Sequence, residues 1–546
     1  MKGKLWYKAA SLLLALIMIV SVAGCGQSGG DSSGEGGAMD EGQTLIIGTQ
    51  SAGRCFLDPH NTTDYGDYNY MNQVYDTLVV ADFDGATIKA GLADSWEVTE
   101  DGLAYTFHIK DNVKFHSGKP MTSADVKWTY DRWRAEETGS VTRSFVAAVD
   151  SIETPDDLTV VIRMSRPDPN LLINFTVPVA SILNKESVEK AEAEGKVYGT
   201  EVVDGTGPFQ FKEYVENEKI VFSRNDEYAW GPEIFKNKGA AHVSELLVRC
   251  LPEAGTRMME FQGGNVDILG NSCIAATEIK NIEGMDYVEI AYFEPPFPAF
   301  IQFQLDRVTD INVRRACNMA IDRKEIIHTC KADICEPMIG ALPSSYQWYW
   351  KGADNYYPYD PDKAGKLLEE SGYIMKDDGF RYKDGKKLSF NILFGTKEDQ
   401  MIANMLQAQF KKIGIDVVAD MSHYNDFWDY INTNDFDALV MELILNTPED
   451  MLYEYMSSKN IPYPNRQSYS DPQTDEWLEQ AKVTMDREER QALYDKIQEK
   501  AMESAMWIPV YNTKGFIVYN SRIKDFKAHP TIVEGMPKML DVYKEQ

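Results

Sequence analysis

Two stretches of the chain match short motifs of enzymes that use a serine nucleophile. Residues 26–30 read Gly-Gln-Ser-Gly-Gly, the order of the G-x-S-x-G motif, and Ser187 and Lys190 are spaced as in S-x-x-K. The first motif needs a strand before the serine and a helix after it, whereas residues 26–30 lie in a stretch rich in Gly and Ser. The second lacks its companion motifs S-D-N and K-T-G and lies in an acidic stretch typical of a solvated helix. Neither motif predicts catalysis.

Motifs for metal and phosphate chemistry are also missing from the sequence. It contains no H-E-x-x-H, no loop ending in G-K-[ST], no EF-hand loop and no C-x-x-C, and its seven histidines are scattered. We therefore predict no enzyme activity, no cofactor and no bound metal.

Cys25 carries the most specific chemical prediction. Residues 21–25 read Ser-Val-Ala-Gly-Cys, which resembles the bacterial lipobox, where diacylglycerol is attached to the cysteine thiol and cleavage leaves that cysteine first. Two early lysines precede an apolar run at residues 9–20, which is shorter than the roughly 20 residues of a spanning helix. The alternative is an ordinary cleavage site with an incidental cysteine. We predict a signal peptide at residues 1–24 and a lipid on Cys25, at the outer face of the cytoplasmic membrane.

Residues 25–43 are predicted to form a flexible tether between the lipid and the rest of the chain. After the cysteine the segment is almost entirely Gly, Ser, Asp, Glu and Gln, so it cannot bury a core. Its reach would be about 20 to 25 Å, which would hold a globular body just clear of the membrane.

The composition of the whole chain is that of a soluble globular protein, with 43% hydrophobic and 26% charged residues. Eighty-five acidic residues against 55 basic ones give a formal net charge of −30, which would repel nucleic acid and anionic lipid headgroups. We expect a monomer of about two to four domains that has no nucleic-acid partner.

The six cysteines that remain beside Cys25 are an even number, which permits disulfides outside the cell. Cys330 and Cys335 are the closest in sequence and form the first candidate pair. The alternative is that all six are free thiols in a domain large enough to need no covalent staple.

The elements that must position a site begin with strands and a hairpin. Residues 44–49 form a short apolar run typical of a first strand. Residues 95–99 and 105–109 alternate around Glu-Asp-Gly, which predicts a hairpin. Thr122 with Asp125 then predicts the capped start of a helix, and Val126, Tyr130 and Trp133 are spaced to form its buried face.

The second half of the chain has an α/β pattern. Residues 388–394 alternate as a strand, residues 401–413 have helical periodicity, Gly414 is placed to end that helix, and residues 415–417 begin another strand. Strand, helix and strand in this order predict a parallel βαβ unit. The fold class is therefore α/β, with more hairpins in the first half.

Residues 91–133 resemble the signature of the large solute-binding proteins of bacterial ABC importers, the family that includes dipeptide-, oligopeptide- and nickel-binding proteins. Residues 205–209, 314–323 and 359–368 resemble further stretches of that family, in the same order along the chain. The resemblance extends over nearly all of the chain beyond the tether. It identifies the chain as a member of family 5 of these extracellular proteins.

The resemblance implies a two-lobed, periplasmic-binding-protein-like fold of type II, with an extra subdomain in the first lobe and a hinge of two strands. A ligand would occupy the cleft between the lobes, which close over it, and the closed form would be recognised by the permease. The implied limits are residues 44–300 and 512–546 for the first lobe, roughly 60–204 for its inserted subdomain, and 301–511 for the second lobe, with crossings near 300–303 and 508–511.

The implied function is a receptor that delivers a peptide or peptide-like solute to the permease and ATPase of an ABC transporter. An oligosaccharide or a nickel or other metal chelate is an alternative cargo. A surface lipoprotein peptidase is an alternative of another class, disfavoured because no catalytic constellation is present. A signalling receptor with the same fold is a third reading.

In peptide-binding members of the family, an acidic side chain of the second lobe pairs with the α-ammonium group of the peptide, in a Trp-x-x-Asp segment before an acidic loop. The resemblance places Leu443 at the tryptophan and Asn446 at the aspartate, so both positions depart from the pattern. Glu442, Glu449 or Asp450 could supply the carboxylate from a shifted position. Asn446 could instead bond a sugar, an amide or a chelate.

Four further residues are candidates for contact with the ligand, and the same correspondence gives two of them, Arg54 and Tyr511. Arg54, in the loop after the first strand, could pair with a ligand carboxylate, and Tyr511 lies on the second hinge strand. Tyr424 and Trp428 could form an aromatic wall, although their spacing of four also suits a buried helix face.

Overall fold

A computed structural model of the chain describes residues 43–545 apart from 52–54, 63, 65, 271–272, 395–398, 421–429, 431–432 and 532–534. Four predicted site residues lie outside the described residues: Cys25, Arg54, Tyr424 and Trp428. The predicted signal peptide and all but the last residue of the predicted tether also lie outside them. No helix among the described residues is long and apolar enough to span a bilayer.

Strands occur throughout the described residues. Their bounds in chain order are β1 Thr44–Thr49, β2 Val79–Ala81, β3 Ile88–Ala90, β4 Ala93–Val98, β5 Ala104–Ile109, β6 Val149–Asp156, β7 Thr159–Met164, β8 Phe209–Val215, β9 Lys219–Arg224, β10 Glu245–Cys250, β11 Ile268–Leu269, β12 Val288–Phe293, β13 Pro298–Phe303, β14 Glu336–Pro337, β15 Ile374–Met375, β16 Arg381–Lys383, β17 Lys386–Lys387, β18 Ser389–Leu393, β19 Asp416–Asp420, β20 Ala438–Glu442, β21 Trp507–Asn512, β22 Gly515–Asn520, β23 Ile523–Lys524 and β24 Tyr543–Lys544.

Helices alternate with these strands most regularly in the second half of the chain. Their bounds are α1 Asp67–Val74, α2 Ser123–Arg134, α3 Leu171–Asn174, α4 Lys185–Ala193, α5 Ala254–Gln262, α6 Ala276–Ile282, α7 Ile311–Ala320, α8 Arg323–Lys331, α9 Pro361–Glu370, α10 Asp399–Lys412, α11 Leu452–Met456, α12 Pro472–Ala481 and α13 Arg487–Ser504.

A seven-stranded sheet, in the order β12-β22-β11-β1-β10-β9-β8, forms the centre of the first lobe. The predicted first strand is confirmed as β1, which pairs in parallel with β10 and β11. Both ends of the chain contribute to this lobe, because β22 near the C-terminus pairs with β11 and β12.

A six-stranded sheet, in the order β14-β21-β13-β20-β18-β19, forms the centre of the second lobe. The predicted βαβ unit is confirmed, because β18 and β19 pair in parallel and α10 joins them. All six residues of β13 are buried, since alternate side chains enter two different cores: Ile301 packs in one and Phe300 in the other. Burial on both faces explains why this strand shows no polar alternation.

The chain passes between the two large sheets twice, at residues 294–297 and 513–514. The segments predicted as crossings, 300–303 and 508–511, lie in β13 and β21, which pair with each other in the six-stranded sheet. The sheets therefore place both hinge candidates side by side. The limits given above for the lobes and the subdomain stay predictions.

The inserted subdomain contains a four-stranded antiparallel sheet, in the order β4-β5-β7-β6. The predicted hairpin is β4 and β5. The predicted cap is also confirmed, because Thr122 and Asp125 form a reciprocal capping box at the start of α2. Its predicted buried face packs into the core of the subdomain, where Val126, Tyr130 and Trp133 are each at most 1% exposed.

The cysteine pairing proposed from the sequence is wrong, since Cys330 and Cys335 are free thiols. Cys330 lies in the last turn of α8 and its Sγ is 3.5 Å from the Sδ of Met405. Ala332 and Asp333 then adopt the left-handed conformation, and Cys335 enters the core of the second lobe. The two thiols therefore have separate surroundings, and cores of this size need no covalent staple.

His529 ties the C-terminal segment to β2 and gives a test of acid stability. It is 4% exposed, its Nε2 is 3.0 Å from the carbonyl oxygen of Ala81, and burial lowers its pKa to about 4. As the pH falls, the unfolded chain binds a proton at this histidine before the folded chain does. The contribution of His529 to the free energy of unfolding is therefore complete above pH 6.5 and is lost as the pH falls towards 4. The loss by pH 4 is about 3 kcal/mol.

The acid effect is measured as the difference in unfolding free energy between the wild type and His529→Gln. Subtraction removes the opposing effect of Asp450, whose pKa is raised to about 6 and which therefore favours the folded state as the pH falls. We expect the advantage of the wild type to shrink by about 3 kcal/mol between pH 7 and pH 4. A difference that does not vary with pH would contradict a buried neutral imidazole.

Candidate functional site

Two of the predicted ligand contacts, Glu442 and Tyr511, are brought together by the register of three strands. Ala299 in β13 pairs with Glu442 of β20 on one side and with Tyr511 of β21 on the other. The Tyr511 hydroxyl donates to Glu442 Oε1 at 2.8 Å. The small side chain of Ala299 leaves room for this bond to pass over the central strand. Tyr511 is 1% exposed, whereas Glu442 is exposed to solvent.

Lys331 adds a positive charge that the sequence analysis missed. Its Nζ lies 5.0 Å from the centroid of the Tyr511 ring, within the range of a cation–π contact. Lys331 ends α8, far from both partners along the chain, so no local motif could have indicated this contact.

Leu443 continues the backbone pairing beyond the end of β20. Its N–H donates to the carbonyl of Pro298, and the N–H of Leu445 donates to Pro296. The Leu443 side chain is half-buried and packs against a core of the second lobe that contains Phe300. Leu443 therefore positions the loop that follows.

Asn446 begins a tightly bonded turn. Asp450 Oδ2 accepts from the N–H of Asn446 at 2.7 Å and of Thr447 at 2.9 Å, and Thr447 caps the short 3₁₀ turn Pro448–Asp450. Burial raises the pKa of Asp450 to about 6, although the two N–H groups act against it. The Asn446 carbonyl accepts from the Tyr346 hydroxyl at 3.4 Å. Its side-chain amide makes no hydrogen bond to any other described residue, so it remains available to a ligand.

The three carboxylates that could replace the missing aspartate differ in what they already bind. Asp450 is committed to the turn. Glu449 Oε1 accepts from the Tyr494 hydroxyl, and its Oε2 is buried without a hydrogen bond to a described residue. Glu442 is the exposed one. The arrangement therefore offers a ligand one free amide and one solvent-facing carboxylate braced by a phenol.

Tyr346 also escaped the sequence analysis. It lies in an aromatic-rich run, at residues 346–350, which could have indicated a binding loop. Within the described ranges, no cluster of His, Cys, Asp and Glu side chains could hold a metal ion.

Two small cavities that are partly open to solvent lie in the first lobe, and Asn446 lines neither of them. One of about 40 Å³ is bounded by Asp76, His529 and Lys538, and another of about 30 Å³ lies beside Thr49 and Gly270. Each has room for one or two water molecules and neither could hold a solute of several residues. Neither of these two cavities is therefore a binding site for such a solute.

Comparison with known proteins gives relatives along nearly the whole chain. Oligopeptide-binding protein AppA of Bacillus subtilis strain 168 is 27% identical, over 96% of this chain and 97% of the relative. Heme-binding protein A of Haemophilus influenzae is 25% identical, over 96% and 97%. The solved structure of NikA from Brucella suis in complex with Fe(III)-EDTA matches this fold with a TM-score of 0.80 at 23% identity, over 92% of this chain and 100% of that one.

A family profile described as "Bacterial extracellular solute-binding proteins, family 5 Middle" matches residues 87–463, which is more than half of the chain. The match covers the 91–133 signature and the loop at Asn446. The predicted two-lobed α/β fold and the predicted lack of enzyme activity are thus confirmed, because the chain belongs to the bacterial extracellular solute-binding proteins, family 5, which are non-enzymatic binding receptors.

Proposed function

We propose that this protein is a lipid-anchored receptor at the outer face of the cytoplasmic membrane. It captures a peptide or peptide-like solute and delivers it to the permease of an ABC importer. The observation that carries the proposal is the similarity to an oligopeptide-binding protein over 96% of the chain. The anchor is supported by the sequence that ends at Cys25.

Asn446 shapes the proposal on the cargo. A hydrogen bond from a neutral amide contributes about 0.5 to 1.5 kcal/mol, against about 1.5 to 3 kcal/mol when one partner is charged. The free amide of Asn446 suits an uncharged polar group of the ligand, such as a peptide amide, whereas the solvent-facing carboxylate of Glu442 suits an ammonium group. A metal chelate is the second candidate cargo, because one relative of the chain is a heme-binding protein.

Calorimetry with ligand panels tests the assignment. The panels are peptides with free amino ends, the same peptides with acetylated ends, oligosaccharides, a nickel chelate and heme. We expect peptides to bind with a dissociation constant of about 1 μM or below. Binding of heme or the chelate with no response to any peptide would overturn the peptide assignment.

Asn446→Ala tests whether this side chain touches the ligand. Because its amide makes no other described hydrogen bond, we expect little change in folding and about a 3- to 10-fold weaker affinity for the best peptide. Asn446→Asp is expected to favour peptides with a free amino end over acetylated ones.

Asn404→Ala is the control, because Asn404 is exposed on α10 in the same lobe. It should leave the affinity unchanged. Equal affinities for the wild type and Asn446→Ala would remove Asn446 from the site.

A further inference from the structure

The two segments that connect the large sheets run side by side. We call residues 294–297 the first crossing and residues 513–514 the second crossing. On the first-lobe side, Phe293 of β12 pairs with Gly515 of β22. On the second-lobe side, the first residue of β13 pairs with the last residue of β21. Both crossings therefore begin and end next to each other, although one is twice as long as the other.

The first-lobe ends of the crossings are fixed by packing around an aromatic ring. The Phe293 ring is 5% exposed and lies directly against Gly515 and Gly535. Neither glycine has room for a Cβ, because that atom would overlap the ring. The ring therefore holds the start of the first crossing against the end of the second.

Hydrogen bonds join the two crossings along their length. The Asn512 side chain is 3% exposed, donates to the carbonyl of Pro295 at 3.2 Å and accepts from the N–H of Phe297 at 3.0 Å. The N–H of Thr513 donates to the carbonyl of Phe297 at 3.1 Å. Pro295 and Pro296 have fixed φ angles, which stiffen the first crossing.

Lys514, in the second crossing, adds a charged contact to this arrangement. Its Nζ lies 2.7 Å from Oε1 of Glu294, in the first crossing, and 2.9 Å from Oε1 of Glu336, in β14. β14 pairs with β21 in the second lobe. The hydrogen bonds to the two carboxylates raise the pKa of Lys514 above its ordinary value. One ammonium group therefore connects three segments that are far apart in the sequence.

The two carboxylates depend on this ammonium group, because both lie against the same nitrogen atom and hence close to each other. Without the positive charge between them, Glu294 and Glu336 would repel each other. The side chains of Lys514, Glu294 and Glu336 are 26%, 42% and 36% exposed. Solvent therefore screens the group in part, and its loss should affect the crossings and leave the cores of the two lobes intact.

We propose that Lys514 is a hinge clasp, whose ammonium group holds the two crossings and β14 together so that they open and close as one unit. The inference rests on the proposed function only in that movement of the lobes captures a solute. Loss of the clasp lets the two crossings open more often.

Hydrogen exchange of the ligand-free protein at pH 7 tests the proposal. The reporters are the amides of Phe297 and Thr513, one in each crossing, measured in the peptides that span them. We expect Lys514→Gln to exchange about fivefold faster than the wild type at both crossings. Adding Glu336→Gln should slow the exchange again, because Glu294 then faces no like charge. A lysine that only filled space would give no such restoration.

Lys280→Gln is the matched control, because Lys280 also forms an ion pair between the lobes. Its Nζ in α6 lies 3.0 Å from Oδ2 of Asp333, which follows α8. Asp333 lies in neither crossing, and the two side chains are 53% and 54% exposed. This variant should exchange like the wild type at both crossings.

Three results would overturn the proposal: equal exchange of Lys514→Gln and Lys280→Gln at the crossings, faster exchange at only one crossing, or no restoration by Glu336→Gln. Peptides from the β8–β9 hairpin report whether the fold is intact. If Lys514→Gln also loosens that hairpin, Lys514→Arg decides. This variant keeps the charge, so wild-type exchange at the crossings supports the clasp and faster exchange overturns it. No ligand is used, so failure here leaves the calorimetric test of the proposed function untouched.

Discussion

Asp76→Asn is expected to lower the free energy of unfolding by about 3 to 5 kcal/mol, because it leaves Lys538 charged and buried without a counter-ion, with only the carbonyls of Asn72 and Tyr75 to accept from it. The two side chains form an ion pair of 3.0 Å and are 2% and 5% exposed. Asp76 also accepts hydrogen bonds from Thr206, Tyr228 and Trp230. Burial lowers the pKa of Lys538, and Asp76 is the group that raises it again. The pair joins the C-terminal segment to the residues that directly follow α1 in the first lobe.

Urea unfolding measures this effect, with a surface ion pair as the control. Lys114 and Glu227 are 2.9 Å apart in the same lobe, but their side chains are 48% and 68% exposed. Glu227→Gln should therefore cost less than about 1 kcal/mol. If Asp76→Asn and Glu227→Gln lowered the free energy of unfolding by similar amounts, the buried ion pair of Lys538 would contribute no more to stability than an exposed one.

Cys25→Ala is expected to abolish retention at the membrane. If Cys25 carries the lipid, its acyl chains supply the whole of the membrane affinity, since each buried CH₂ contributes about 0.8 kcal/mol and more than one chain makes a stable anchor. The acidic surface, with a net charge of −30, would add no attraction to anionic headgroups. We expect the protein to move from the membrane fraction to the soluble fraction. The share of the protein bound to the membrane should fall by a factor on the order of ten or more, because the acyl chains are lost.

The intact mass of the purified protein gives a second readout. The wild type should begin at Cys25 and carry the mass of a diacylglycerol group, which the variant lacks. Cys250→Ser is the control, because Cys250 is a free, partly buried thiol of the first lobe. Unchanged fractionation of Cys25→Ala would remove the lipid anchor from the proposed function.

Local patterns predicted the secondary structure well wherever neighbouring residues decide it. The capping box of Thr122 and Asp125 and the βαβ unit around α10 both depend on residues a few positions apart. The same local reasoning failed for Cys330 and Cys335. Proximity in sequence says nothing of the left-handed residues at 332 and 333 that lead the second thiol into a core.

In the candidate site, local sequence patterns decided less than the tertiary structure did. The residues at Glu442, Leu443, Asn446 and Tyr511 were found from the resemblance, but their roles follow from contacts between distant segments. Tyr511 meets Glu442 only because β13 lies between their strands. Asp450 is withdrawn from ligand binding because it bonds the turn at Asn446. These contacts depend on the tertiary structure, which the spacing of residues along the chain does not reveal.

The sequence by itself was enough to identify the family and the α/β class and to predict export and lipid attachment, because contiguous residues encode all three. Only the tertiary structure decided which carboxylate near Asn446 faces solvent, where the hinge strands pair and which buried charges form ion pairs. These depend on side chains that the fold brings together from far apart. Lys538 and Asp76 illustrate the physical reason: a buried charge is costly by itself, so its effect on stability is set by the opposite charge that the fold places beside it.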